Sequence, residues 1–279
     1  MRYFQPEMLK DLLLILDHED NCMIIAGGTD LVIYLQDTVK KPDSLIDVTN
    51  VKDLIGIKKE KSGITIGSAT TISNIAASNI LPECLRNGAG SIGSPQIRNL
   101  ATIGGNICNA SPCGDTLAPL LSLKADFLLQ SVNSERLVPA DQFFIGPKKT
   151  VMQSNEILSE IRISSKYLDG ISDFKMIGQR NGQVISQVNL AIWLKTVEST
   201  NIIKEIRISA GSVAPTPVRI IKAEKLLCNK VPTPELILEA GKLVQSGICP
   251  IDDVRSTAIY RQDVIAGLFQ DIMTHLLNN

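Results

Sequence analysis

Histidine is nearly missing from this chain of 279 residues: there are two, His18 and His275, at opposite ends. Neither sits in a pattern with a candidate nucleophile, which argues against a hydrolase built on a histidine base. Cysteine is also sparse, with residues 22, 84, 108, 113, 228 and 249. Six in a chain this long and this irregularly spaced do not make a disulfide scaffold. Only Cys108 and Cys113 are close, no Cys-x-x-Cys occurs and no histidine is nearby, so no metal site is expected within the chain. Long apolar runs are missing too. Asp17, Lys41 and Lys124 interrupt the best candidates well short of the ~20 residues a membrane span needs. The N-terminus lacks the apolar segment of a signal peptide, so the reading is cytoplasmic. Finally, charge of one sign is missing: 28 basic against 29 acidic residues leave a net −1, no footprint for nucleic acid or an anionic membrane.

What is present is the composition of a soluble globular protein, 44% apolar and 20% charged, long enough for one large domain or two ordinary ones. Leu9, Leu12, Leu13 and Leu16 predict a first helix, with Pro6 at its first position. Met23 to Ala26 reads as a short buried strand stopped by Gly27-Gly28, and 45–48 as another. Apolar alternation on both sides of Lys61-Ser-Gly63 predicts a hairpin, and 72–87 reads as helical. Residues 88–115 are then dominated by glycine, serine, asparagine and proline, a flexible connection or a binding surface. After Tyr167-Leu-Asp-Gly170 the texture changes again. Val188 to Leu194 and Ile206 to Ala210 alternate around Ser199-Thr-Asn201, an antiparallel pair. Two helices follow, one capped by Thr233 with Pro234 at its first position, the other starting near Arg261.

Two segments carry the chemistry: Ala26-Gly-Gly-Thr-Asp-Leu31 and Ala101-Thr-Ile-Gly-Gly-Asn106. Paired glycines let successive amides point into one concavity, which neutralises a phosphate without lysine or arginine. Two such cradles suit a diphosphate held from both sides, although a lone Gly-Gly is most often a turn. Neither segment fits the dinucleotide-binding or P-loop spacings.

The stretch Gly93-Ser-Pro-Gln-Ile-Arg-Asn-Leu-Ala-Thr-Ile-Gly-Gly-Asn-Ile-Cys-Asn-Ala-Ser-Pro-Cys-Gly-Asp115 resembles the signature of the FAD-binding subunit of molybdenum hydroxylases, among them xanthine, nicotinate and carbon monoxide dehydrogenases. Met23 to Leu31 resembles that family's first FAD loop. Gly211-Ser-Val-Ala-Pro-Thr-Pro-Val-Arg219 and Asp253-Val-Arg-Ser-Thr-Ala-Ile-Tyr-Arg261 resemble its C-terminal domain. The resemblance implies an α+β chain: a two-subdomain FAD-binding fold of the vanillyl-alcohol-oxidase (PCMH) type over 1–170, subdivided near 55, then a smaller α+β domain over 171–279.

By the same resemblance, Ile24, Ile25, Ala26, Gly27, Gly28, Thr29, Asp30 and Leu31 wrap the FAD diphosphate and ribityl side. Ala101, Thr102, Ile103, Gly104, Gly105 and Asn106 clamp it from the other loop. Ile92 lies against the isoalloxazine, or is simply a core residue. Asp115 accepts from a sugar hydroxyl, or caps the helix that follows. Ile157 and Lys175 make later flavin contacts. Relatives that bind flavin covalently use a first-loop histidine, where this chain has Thr29 and Asp30, so a noncovalent flavin is expected. The resemblance further implies partner subunits holding the molybdenum cofactor and 2Fe-2S clusters, with none in this chain. It implies no catalytic acid or base here and electrons leaving to NAD or another acceptor. Two rivals stay open: a stand-alone flavin oxidoreductase of the same fold, and a scaffold subunit without flavin.

Overall fold

The computed structural model describes residues 1–180, 182–197 and 200–278. A small parallel sheet opens the chain, with Ser44–Asp47 between Arg2–Phe4 and Cys22–Ile25. The helix Leu9–His18 covers one face, burying Leu12 and Leu16. Pro6 is not its first residue. Pro6 is buried in the preceding turn, and the helix starts at Leu9, with the Met8 carbonyl accepting from the Leu12 amide at 3.1 Å.

A five-stranded antiparallel sheet follows, ordered Ile57–Glu60, Gly63–Gly67, Ile157–Ser164, Asp126–Gln130, Glu135–Pro139. The hairpin read from Lys61-Ser-Gly63 is its first pair. The helix expected over 72–87 is two helices, Ile72–Ala77 and Glu83–Ser91. Pro82 lacks an amide proton and ends any continuous helix through it. The glycine-rich stretch that follows is ordered as short helices, Pro95–Leu100 and Ile103–Asn109. Ser94 and Thr102 cap them by accepting from the Ile97 amide (3.3 Å) and the Gly105 amide (3.1 Å).

The last third builds a four-stranded antiparallel sheet, Ile171–Ile177, Val188–Thr196, Ile203–Gly211 and Val218–Arg219. The antiparallel pair expected there is present; of its turn, Ser199 lies outside the described residues. This sheet uses both faces, as strand alternation requires. Leu190, Ile192 and Leu194 pack on the helices Ile221–Leu227, Pro234–Ser246 and Ala258–Asn278. Ala191 and Trp193 point the other way and join the core of the five-stranded sheet.

Arg207 locks that junction. Its buried guanidinium donates to the carbonyls of Ser122 (2.6 Å) and Leu121 (2.9 Å) at the end of the helix Leu117–Ser122, and lies over the Tyr167 ring. Cationic donors suit the negative end of a helix. Arg207→Ala removes both bonds and is expected to cost about 3 kcal/mol of unfolding free energy, read as a lower urea midpoint, with Arg207→Lys recovering part of it.

Candidate functional site

The strand Cys22–Ile25 runs out at its C-terminal end into Ala26–Asp30, which leads into the helix Leu31–Asp37. Gly28 has φ +68°, a conformation open to glycine and costly for most other residues. Gly27 sits against the second loop: a Cβ there would lie 1.8 Å from the Leu100 carbonyl oxygen. The two glycine segments are therefore in backbone contact. Among the described residues the amides of Gly27, Gly28, Thr29 and Asp30 donate to no protein group. Four consecutive amides without a protein acceptor are the kind of group an anion-binding turn uses.

The second segment works differently. The Ile103 amide donates to Thr70 (3.0 Å), Gly104 to Ser68 (2.7 Å) and Asn106 to Thr102 (3.0 Å), while Gly105 is held by the Thr102 side chain. Most of its amides are thus spent on anchoring the turn; among the described residues only the Thr102 amide of this segment donates to no protein group, so a second run of free amides is not formed. Gly104 is required because a Cβ would lie 2.7 Å from both Cβ and the carbonyl oxygen of Ser68. Besides that amide, the Asn106 side-chain nitrogen is open to a ligand, since Asn106 Oδ1 accepts from Thr116 Oγ1 at 2.6 Å.

Both segments open on one cavity of about 1260 Å³, walled on its far side by the C-terminal sheet domain. That exceeds the roughly 300–1,000 Å³ common for small-molecule sites and suits an extended dinucleotide. Ile24, Ala26, Gly27, Gly28, Thr29, Asp30 and Leu31 line it, as do Ala101, Thr102, Gly104, Gly105, Asn106, Ile92, Asp115 and Ile157. Ile25 and Ile103 do not: Ile103 is fully buried in the core. Lys175 does not line it either. Its neighbours Phe174 and Met176 face the flavin-side core, so strand alternation turns Lys175 to the opposite face, where Nζ pairs with Asp271 at 2.5 Å.

Asp115 is 5% exposed, and Oδ1 takes two donors from the other domain, Ser186 Oγ and Asn189 Nδ2 (2.9 Å). Burial raises its carboxyl to about 6, against the lowering pull of those donors and of Ser91. Asp253 goes the other way: burial opposes its ionisation, but the Arg255 amide, the Arg261 guanidinium and the Ser256 amide bring it down to about 2. Burial pushes the Cys108 thiol up to about 12, so it carries no reactive thiolate; it donates to Met152 Sδ at 3.5 Å.

The sequence reading missed the C-terminal contribution to this wall, above all Ser212, Asp253, Arg255 and Arg261. Their signal was in the two downstream motifs, Gly211–Arg219 and 253–261, whose polar residues converge only once the fold is made.

Free amides on a glycine turn, a dinucleotide-sized cavity and a two-domain α+β frame define a flavin-type nucleotide-binding oxidoreductase component. The chain belongs to the FAD-binding family of molybdopterin dehydrogenases: residues 1–165 match the "FAD binding domain in molybdopterin dehydrogenase" and residues 174–276 the "CO dehydrogenase flavoprotein C-terminal domain". It is similar to the glyceraldehyde dehydrogenase medium chain of Sulfolobus acidocaldarius, 32% identical over 94% of this chain and 93% of the relative. It is also similar to the xanthine dehydrogenase FAD-binding subunit of Escherichia coli O157:H7, 29% identical over 98% and 94%. A chain in the solved structure of carbon monoxide dehydrogenase from Hydrogenophaga pseudoflava superposes with a TM-score of 0.92, at 28% identity, covering 99% of this chain and 96% of that one. The protein is thus an FAD-binding component of a molybdenum-dependent dehydrogenase, with the fold and cofactor that the resemblance implied.

Proposed function

We propose that this chain is the electron-transfer flavoprotein subunit of a molybdenum hydroxylase, taking electrons from an iron–sulfur partner subunit and passing them to NAD or another acceptor. The observation that carries the reading is a turn with four unpartnered amides whose residues line a cavity large enough for FAD. FAD, when bound, exchanges single electrons for electron pairs, and the protein supplies position and electrostatics. In this reading the Gly27 to Asp30 amides hold the diphosphate and Asn106 donates from the second segment. Ile92 and Ile157 provide apolar walls, and Asp115 keeps Oδ2 toward a sugar hydroxyl. The unit over 1–170 is the flavin domain, and 171–279 closes the cavity. A molybdenum subunit and a 2Fe-2S subunit complete the complex, and the substrate is bound in the molybdenum subunit. Among the described residues no group of three or more His, Cys, Asp or Glu residues could hold a metal, and no helix is long and apolar enough to cross a membrane. A cytoplasmic complex is the corresponding proposal.

Attachment is noncovalent in this reading, because Thr29 and Asp30 stand where covalent relatives carry histidine. Incubation of the protein with FAD is expected to yield the visible flavin absorbance band, and acid precipitation to release all of it into the supernatant. Pull-down of the chain is expected to bring partner chains carrying molybdenum and iron. Flavin uptake without partners would favour a stand-alone oxidoreductase, and partners without flavin uptake a scaffold subunit.

A further inference from the structure

The join between the helices Glu83–Ser91 and Pro95–Leu100 forms part of the cavity wall. Ile92 ends the first helix, its amide donating to the Ala89 carbonyl at 3.3 Å, and Ser94 caps the second. Between them Gly93 turns the chain with φ +49°. Ile92, Gly93 and Ile97 line the cavity, and Ile92 also packs against the core of the five-stranded sheet. Arg98 does not line the cavity. Its side chain turns back across the join instead, and Nη1 donates to the carbonyls of Ile92 (3.0 Å) and Gly93 (3.1 Å). Among the described residues no other protein group donates to either carbonyl. Carbonyls at the end of a helix need an outside donor, and a cation there is favoured by the helix dipole.

The two sides of the helix Pro95–Leu100 are held by different means. At its far end the Ala101 amide donates to the Ile97 carbonyl (2.8 Å) and the Ala101 carbonyl accepts from the Ile72 amide (2.8 Å). Backbone bonds therefore fix the Leu100 carbonyl that meets Gly27. Upstream of the Ser94 cap, the carbonyls of Ile92 and Gly93 are held by one side chain. A Cβ at Gly93 would lie 2.9 Å from Ile97 Cγ2, so the turn keeps the residue with the most backbone freedom to lose. The diphosphate side of the cavity is thus built to stand without Arg98, and the Ile92 side is not.

We propose that Arg98 is a positioning residue for the flavin ring: by fixing the Ile92 and Gly93 carbonyls it sets the Ile92 side chain on the ring side of the cavity, without touching the cofactor. The assignment rests on the reading in which FAD fills this cavity with Ile92 as an apolar wall against its ring. It goes further by making Arg98 the residue on which that contact depends. One nitrogen supplies both bonds, so a point donor suffices and the guanidinium fork is not used. Lysine is therefore expected to replace Arg98, and a side chain of similar stem without donors is not.

The test uses the full chain stripped of flavin and two ligands titrated by calorimetry: FAD, and ADP, which carries the diphosphate and no ring. In Arg98→Ala the FAD affinity is expected to fall about five- to tenfold, and the ADP affinity to stay within about twofold. Arg98→Lys is expected to recover most of the FAD loss. If Arg98→Ala melts well below the wild type, Arg98→Met, which keeps the apolar stem and loses the donors, is read in its place. The visible absorption band of bound flavin reports the ring environment, and it is expected to change alike in Arg98→Ala and Ile92→Ala. Because Arg98 acts through Ile92, the double variant is expected to bind FAD no more weakly than Ile92→Ala alone. Additive losses in that cycle, equal losses of FAD and ADP in Arg98→Ala, or undiminished FAD affinity in Arg98→Ala overturn the proposal. Undiminished FAD affinity in Ile92→Ala also overturns it and leaves the flavin reading standing. A wild type that takes up no FAD sinks both.

Discussion

Gly27→Ala is expected to abolish FAD binding. The added Cβ would lie 1.8 Å from the Leu100 oxygen, 2.4 Å from its carbonyl carbon and 2.8 Å from the Ala101 nitrogen. All three are backbone atoms, so no rotamer change relieves the overlap; the two loops must separate. Overpacking of this kind costs about 3 kcal/mol or more. Taken from the bound state, which needs both loops in register, that is a hundredfold or greater loss of FAD affinity. Gly105→Ala is the control. Its Cβ would meet only Thr102 Oγ1, at 3.0 Å, a side-chain atom that can move. That variant is expected to fold with a near-native melting temperature and to bind FAD several-fold more weakly, its methyl group facing the cavity. Gly28→Ala lies between, since φ +68° costs an L-residue about 1–2 kcal/mol. Fluorescence titration with FAD and thermal melts of the three variants check the order. Equal affinities for Gly27→Ala and Gly105→Ala would refute the loop contact.

The same comparison shows what could be read from the chain before folding. Gly27-Gly28 after Met23 to Ala26 announces a strand and a tight turn by local chemistry alone, and the turn is there. The alternation of Leu190, Ile192 and Leu194 likewise specifies a strand with one face on helices. The 88–115 stretch is harder. Its glycines suggest a loop, yet Ser94 followed by Pro95, and Thr102, are helix starts, and they cap two short helices. Gly104-Gly105 looks like a second set of free amides, but Thr70 and Ser68, thirty-odd residues upstream, accept two of the bonds. No local pattern reports that. Lys175 stands off the cavity wall for a related reason: which face of a strand a residue takes depends on register, and one position separates the two faces. Ser212 and Arg261 are 49 residues apart in sequence, and only the packing of the last helix on the sheet brings Ser212 to the motif that holds Asp253 and Arg261.

Asp115 shows how the two domains share one electrostatic problem, and its pH dependence is the second large effect expected. In the unfolded chain its carboxyl titrates near 3.8, and in the fold near 6. The folded protein therefore holds the proton more tightly, so this residue favours folding most below 3.8 and loses that contribution as pH rises through 6. A shift of about two pH units corresponds to about 3 kcal/mol between the two limits. Desolvation is the cause: the carboxylate sits between domains at 5% exposure, with Ser186 Oγ and Asn189 Nδ2 as neutral donors. The measurable consequence is a difference. From pH 7 to pH 4.5 the wild type is expected to gain about 2 kcal/mol relative to Asp115→Asn, which cannot titrate, whatever the other acidic groups do in both proteins. Ser186→Ala removes one donor from the carboxylate and is expected to move the midpoint of that difference upward, because the charged form loses stabilisation while burial remains. The segment that Ser186 anchors contributes Val184 and Ile185 to the cavity wall, so the Ser186 variant is also expected to loosen that wall and quicken flavin release. Parallel urea-denaturation curves for the wild type and Asp115→Asn across this pH range would show that the carboxyl is solvated and that the two domains do not close on it.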